Sequence, residues 1–261
     1  MIASFPKVEL IGRSRRFASL WRATRPFVAA ARNHCPIYAL LLPCAVVVVQ
    51  LQLNFTNQSH LTFNFFERFV YGGLGDIFDN RVLSKWLIVA VHSLSFERVS
   101  ARQANTLLQT LALWGSLALA FHLGLRRMKA SAALLVPLLV AVFIPWGFLR
   151  VGQSISFPYD LFCVLFAVAA YYCVLADRFS LLCLVVALGV LNKETMVYFV
   201  PTYLFVSLRR NTPGAWRRAF ILGVIFLAAY YIPRIFVHPI NGALTVSYHD
   251  GKSMRWILNI R

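Results

Sequence analysis

Residues 106–129 read TLLQTLALWGSLALAFHLGLRRMK, and the fold turns on how this run is read. Residues 106–125 contain no Asp, Glu, Lys or Arg. At 1.5 Å of rise per residue a helix of that length reaches about 30 Å, the thickness of a bilayer's hydrocarbon core. Arg126, Arg127 and Lys129 follow at once. An apolar run closed by a basic cluster is the pattern of a transmembrane helix ending at the cytoplasmic face.

The rest of the 261-residue chain agrees. It is 59% hydrophobic and 13% charged, with a mean hydropathy of +0.67. Soluble domains run at about 45–50% apolar and about 25% charged, so the departure is toward a membrane protein in both respects. The net charge of +17 comes from 26 Lys and Arg against 9 Asp and Glu. These basic residues cluster beside apolar runs, as topology determinants do, rather than forming a stripe interleaved with aromatics, which argues against nucleic acid as a partner. Cys35, Cys44, Cys163, Cys173 and Cys183 lie in or beside apolar runs without CxxC spacing and read as small buried hydrophobes. Residues 1–35 carry seven Lys and Arg with no apolar run or cleavage site, which reads as a cytoplasmic tail rather than a signal peptide.

Seven segments meet the length criterion, some with tolerant boundaries: 36–53, 106–125, 131–148, 157–176, 179–191, 196–208 and 220–237. The fifth and sixth are short and read as a broken pair around Asn192-Lys193-Glu194-Thr195. Residues 83–94 are too short to cross. Lys85 and His92 share one helical face there while Leu83, Trp86, Leu87, Ala90, Val91 and Leu94 populate another, which predicts an amphipathic helix lying in the interface. The expected fold is therefore all-α: a polytopic helical membrane protein with about seven transmembrane helices and an interfacial helix in the first outer loop. Its parts are a basic tail (1–35), a transmembrane domain (36–240) with outer loop 54–105, and an outer tail (241–261). With the N-terminus inside, residues 1–35, 126–129 and 208–218 all face the cytoplasm, as the basic excess requires. The C-terminus then falls outside, and function is sought on that outer face.

Several residues there bear chemistry. The loop segment FFERFVYGGLGDIFD, residues 65–79, sets Glu67, Asp76 and Asp79 among aromatics. Asp76 follows a glycine-rich stretch that lets backbone approach a ligand, although both Asp76 and Asp79 also suit ordinary turns. Arg81 and Lys85 can hold a phosphate by charge-assisted hydrogen bonds or snorkel to the interface. Asp160 opens the fourth span, where a carboxylate suits the positive end of a helix and an intramembrane acid is also a site candidate. Lys193 and Glu194 sit between two short apolar segments, either lining a cavity or forming a helix corner. Arg234, late in the last span, can reach the same outer cavity or snorkel. Histidines without HExxH and serines without GxSxG leave zinc-peptidase and hydrolase readings without support.

An N-in chain with a long acidic first outer loop, an interfacial helix in that loop and then six spans resembles the GT-C superfamily of membrane glycosyltransferases. DNRVLSKWL at residues 79–87 resembles the "R-x-L" entry to the second juxtamembrane helix of bacterial GT-C-like proteins. SFPYDL (156–161) and LNKET (191–195) resemble that group's "PYD" and "LN(R/K)ET" segments. The resemblance covers roughly residues 36 to 240 and implies transfer of a sugar from a polyprenyl-phosphate donor to an acceptor hydroxyl outside the cytoplasm, in a bacterial inner membrane or, as the alternative, an ER membrane. It makes Asp76, with Asp79 and Glu67 behind it, the catalytic base or a divalent-metal ligand, and gives Lys193, Arg81 and Arg234 the lipid-linked phosphate. No organic cofactor is implied. GT-C enzymes usually continue into further spans, so the resemblance is to a short or truncated member. Two other classes stand beside this one: a non-catalytic subunit binding lipid-linked sugar on the same scaffold, and a small transporter, for which no inverted repeat is visible. Asn54-Phe55-Thr56 and Asn57-Gln58-Ser59 match the glycosylation sequon, a pattern short enough to arise by chance.

Overall fold

The computed structural model describes residues 32–56, 82–150 and 160–237, and every regular element among them is helical. In chain order they are α1 (Cys35–Thr56), α2 (Val82–Leu94), α3 (Ala101–Leu125), the one-turn α4 (Ala130–Ala133), α5 (Leu135–Arg150), α6 (Asp160–Leu175) and α7 (Phe179–Val190), then a 3-10 turn (Glu194–Tyr198), α8 (Phe199–Arg209) and α9 (Ala215–Val237). Three of them hold stretches long and apolar enough to cross a membrane: Cys35–Gln52, Ala101–Leu125 and Ala215–Pro233. The helices of the remaining expected spans are shorter. The third breaks at Leu134 between α4 and α5, and the fifth and sixth are divided by the 191–198 turn.

Two helices begin five residues before the apolar pattern placed them. At α3 the cause is a capping box. The Ser100 hydroxyl accepts from the Gln103 N–H at 3.3 Å, and the Gln103 side chain accepts from the Ser100 N–H at 2.9 Å. At α9 the chain turns at Gly214, whose φ of +70° only glycine adopts without strain, and Arg218 N–H then bonds back to the Gly214 carbonyl at 3.0 Å.

Helix α3 is the centre, with α1, α2, α5 and α6 packed around it. Its partner α1 runs antiparallel. The Trp114 indole N–H donates to the Tyr38 carbonyl at 2.9 Å, and the rings of His34 and Tyr38 meet Phe121 edge-on at 5.8 and 5.4 Å. Helix α6 runs parallel to α3: a Cβ on Gly115 would lie 3.2 Å from Leu165, and His122 packs on Tyr172 at 5.6 Å. Both contacts share one offset, so Asp160 falls level with Thr110, about two and a half turns inside the start of α3. One apolar core joins α1, α3, α4, α5 and the start of α6 through Leu41, Ala45, Leu113, Leu117, Phe121 and Leu161. A second joins the end of α6 to α7, α8 and α9 through Cys173, Leu182, Val186, Tyr203 and Leu222.

The basic clusters meet at one end. Arg126 donates to the Tyr172 hydroxyl at 3.2 Å. Arg210 donates to the last carbonyls of α6, Val174 at 3.1 Å and Leu175 at 3.3 Å, and Arg218 approaches Asp177 at 3.7 Å. Helix α2 belongs to the opposite end. The tight 95–100 turn folds it back on α3, with Val82, Ser84 and Ile88 buried and Trp86, Val89 and Leu94 left exposed. The helix is thus apolar on both sides, Val82, Leu87 and Ile88 toward the protein and Trp86, Val89 and Leu94 away from it.

Candidate functional site

The end opposite the arginines carries a buried polar layer. Asp160 is the first residue of α6, where unpaired N–H groups and the helix dipole stabilise a carboxylate by about 0.3–1 kcal/mol. It is only 6% exposed, and Lys193 Nζ lies 3.5 Å from its Oδ1. Lys193 reaches it from a turn in which the N–H groups of Asn192 and Lys193 both donate to the Gly189 carbonyl, at 3.1 and 2.8 Å. Residue 189 is glycine because Met196 packs directly on it: an added Cβ would lie 2.8 Å from Met196 Cγ.

Asn192 is fully buried, and its amide donates to Cys163 Sγ at 3.2 Å, one helical turn along α6 from Asp160. Two neighbouring residues thus tie the 191–193 turn to the first turn of α6. A third tie comes from α2, whose Leu83 N–H donates to the Leu191 carbonyl at 3.1 Å. The described chain resumes at Val82, one residue before this bond. On α3, Gln109 donates to Asn105 at 3.1 Å, and both are buried. Ser84 of α2 is buried as well, and the antiparallel register sets buried Gln52 of α1 near the level of Asn105. Amides and a charged pair inside so apolar a chain are costly unless engaged, which makes them site candidates by default.

The predicted residues fall as follows. Asp160 and Lys193 come together. Lys85 is half-buried on α2, two residues beyond the Leu83–Leu191 bond, and Glu194 is exposed at the start of the 3-10 turn. Glu67, Asp76, Asp79 and Arg81 lie outside the described residues, and Arg234 lies on α9 outside those described at side-chain level. Among the described residues no three His, Cys, Asp or Glu side chains converge as metal ligands would. Expectation for the cysteines is corrected: Cys173 is buried, but Cys35 at the tip of α1 is exposed and Cys163 is a hydrogen-bond acceptor rather than mere packing. Sequence reading passed over Asn105 and Gln109. Their i, i+4 spacing on the face that continues through Leu113 and Ser116 was the available signal. No family model, curated protein or solved structure matches the chain.

Proposed function

We propose that this chain is a GT-C-like membrane glycosyltransferase of a bacterial inner membrane, transferring a sugar from a polyprenyl-phosphate donor on the non-cytoplasmic side. In this reading α1, α3, α4–α5, α6, α7, α8 and α9 make seven passes, the short ones included, and α2 rests along the outer leaflet. The arginine-rich end is cytoplasmic. It carries Arg126, Arg127, Lys129, Arg178, Arg209, Arg210, Arg217 and Arg218 against Asp177, whereas the other end sets Lys85, Arg98, Arg102, Arg150, Lys193 and Arg234 against Glu97, Asp160 and Glu194, a smaller basic excess.

The observation that carries the proposal is the Asp160–Lys193 pair where α2 begins. Lys193 keeps 29% of its side chain exposed while its ammonium lies against a buried carboxylate. That arrangement suits a phosphate whose isoprenoid tail lies between helices. Asp76 would take the proton of the acceptor hydroxyl as its oxygen attacks the anomeric carbon. The bond from that carbon to the phosphate oxygen breaks, and the phosphate leaves with the electron pair beside Lys193 and Arg81.

The same pair serves a second reading, a non-catalytic subunit that binds lipid-linked sugar, because Asp160, buried and engaged by Lys193, is suited to positioning a donor. Purified protein given radiolabelled polyprenyl-phosphate sugar separates the two. Transfer by the wild type, loss of at least about a hundredfold in Asp76→Asn, and weakened donor binding in Lys193→Met support the enzyme. Donor binding without transfer by any form supports the subunit, and absence of donor binding removes both.

A further inference from the structure

We infer that the corner between α8 and α9 is a binding site for an anionic phospholipid of the adjoining leaflet. Arg209 ends α8 and Arg210 follows it, Arg217 and Arg218 lie in the first turn of α9, and residues 208–218 contain no acid. Two of the four are fixed by the protein. Arg210 bonds to the carbonyls that close α6, and Arg218 is shared between Asp177 and the face of Phe179 at 5.7 Å. Arg209 and Arg217 stand exposed on either side of the turn. That turn is held by the Thr212 N–H bond to the Ser207 carbonyl at 2.9 Å, with Asn211 at φ +52°. The two guanidinium groups are thus carried on ordered helix ends rather than on a loose loop.

Beside them the surface is apolar and aromatic. Trp216 is 68% and Phe220 73% exposed, one turn apart on α9, and Val224 and Leu227 continue the same exposed stripe. An indole next to guanidinium groups at the end of an apolar helix is the chemistry of the headgroup level, while the stripe below it suits acyl chains. A molecule with a phosphodiester head and two hydrocarbon tails meets both halves at once. A soluble anion would use only the arginines, and a second copy of this equally basic end would be repelled. This site is remote from the Asp160–Lys193 pair, at the other end of the helices, and does not depend on the activity proposed above.

The test uses the full chain in nanodiscs of equal phosphatidylcholine and phosphatidylglycerol with matched acyl chains, read by native mass spectrometry of the lipids retained on release. The wild type is expected to retain phosphatidylglycerol in preference to phosphatidylcholine by about thirtyfold, and Arg209→Gln/Arg217→Gln to lose about that factor in phosphatidylglycerol affinity. Arg126→Gln/Arg127→Gln removes the same charge from the same end and is expected to stay within about threefold of wild type. Trp216→Ala should weaken retention of both lipids while leaving the headgroup preference intact. Equal retention of the two lipids by the wild type, or an equal loss in Arg126→Gln/Arg127→Gln, overturns the inference. So does glycerol phosphate competing as well as the lipid, or a lipid-free dimer through this face. Unchanged thermal transitions in the exposed-arginine variants establish that the losses are local.

Discussion

At the scale of single residues, the Asp160–Lys193 pair and the glycine contacts are where a substitution will be felt. Removing the ammonium in Lys193→Met strands a carboxylate that is almost wholly buried. The partial exposure of Lys193 keeps the cost below the full buried-pair range, at about 1–3 kcal/mol. The double variant Asp160→Asn/Lys193→Met should recover about 1–2 kcal/mol of the summed single losses in a thermal-unfolding cycle. Strict additivity would mean that the two groups do not interact. Gly124 faces a less yielding neighbour, since a Cβ there would lie 3.0 Å from the Ala133 side chain and 3.1 Å from its backbone. Gly124→Val should cost about 1–3 kcal/mol. Ala133→Gly should restore only part of it, because the backbone contact remains. Both members of the pair were readable as candidates from charge inside apolar sequence. Their meeting was not, because thirty-odd residues and a helix separate them and only the packing of α6 on α7 closes the distance. The fully buried Asn192 was legible merely as a corner residue, since nothing in sequence places a Cys163 sulfur within its reach.

At the scale of elements, the ends of helices were the hardest feature to read, because apolar periodicity reports what is buried or lipid-facing and not where hydrogen bonding starts. Ser100 illustrates this: Ser-x-x-Gln precedes a polar first turn, so the apolar run begins one and a half turns after the helix does. Ser100→Ala should cost about 1 kcal/mol, with faster amide hydrogen exchange confined to residues 101–104. The α8–α9 turn offers the opposite sign. Asn211 adopts φ +52°, so Asn211→Gly should be neutral or stabilising by up to about 1 kcal/mol, whereas Asn211→Val should lose about 1–2 kcal/mol. Equal melting temperatures for the two variants would mean that this residue leaves the left-handed region in solution. The membrane character and the division around residue 192 were plain from composition and run length. The interruption at Leu134 does not show in run length, although Pro137 marks it: lacking an N–H, it cannot bond to the Ala133 carbonyl, and it sits in the first turn of α5.

At the scale of the whole molecule, the direction of every helix follows from a few cross-links, and the topology can be tested without reference to function. In a background with exposed Cys35 replaced by Ser, single cysteines at Met128 and Asn211 should react with a membrane-impermeant maleimide from the same side, and one at Glu97 from the other. Labelling of all three from one side would dismantle the arrangement. The helices also differ in reach. Helices α3 and α9, of 25 and 23 residues, extend about 35–37 Å, whereas α6 and α7, of 16 and 12, extend only about 18–24 Å. A bilayer must fit both sides of such a body at once. Lipid bordering α6 and α7 should therefore thin by several ångströms, drawing the outer headgroups inward toward Lys193, at a cost that rises with each ångström of difference. A lipid-borne phosphate would then arrive at the pair without its tail leaving the oily phase. The protein should accordingly work better, and melt later, in short-chain bilayers than in long-chain ones.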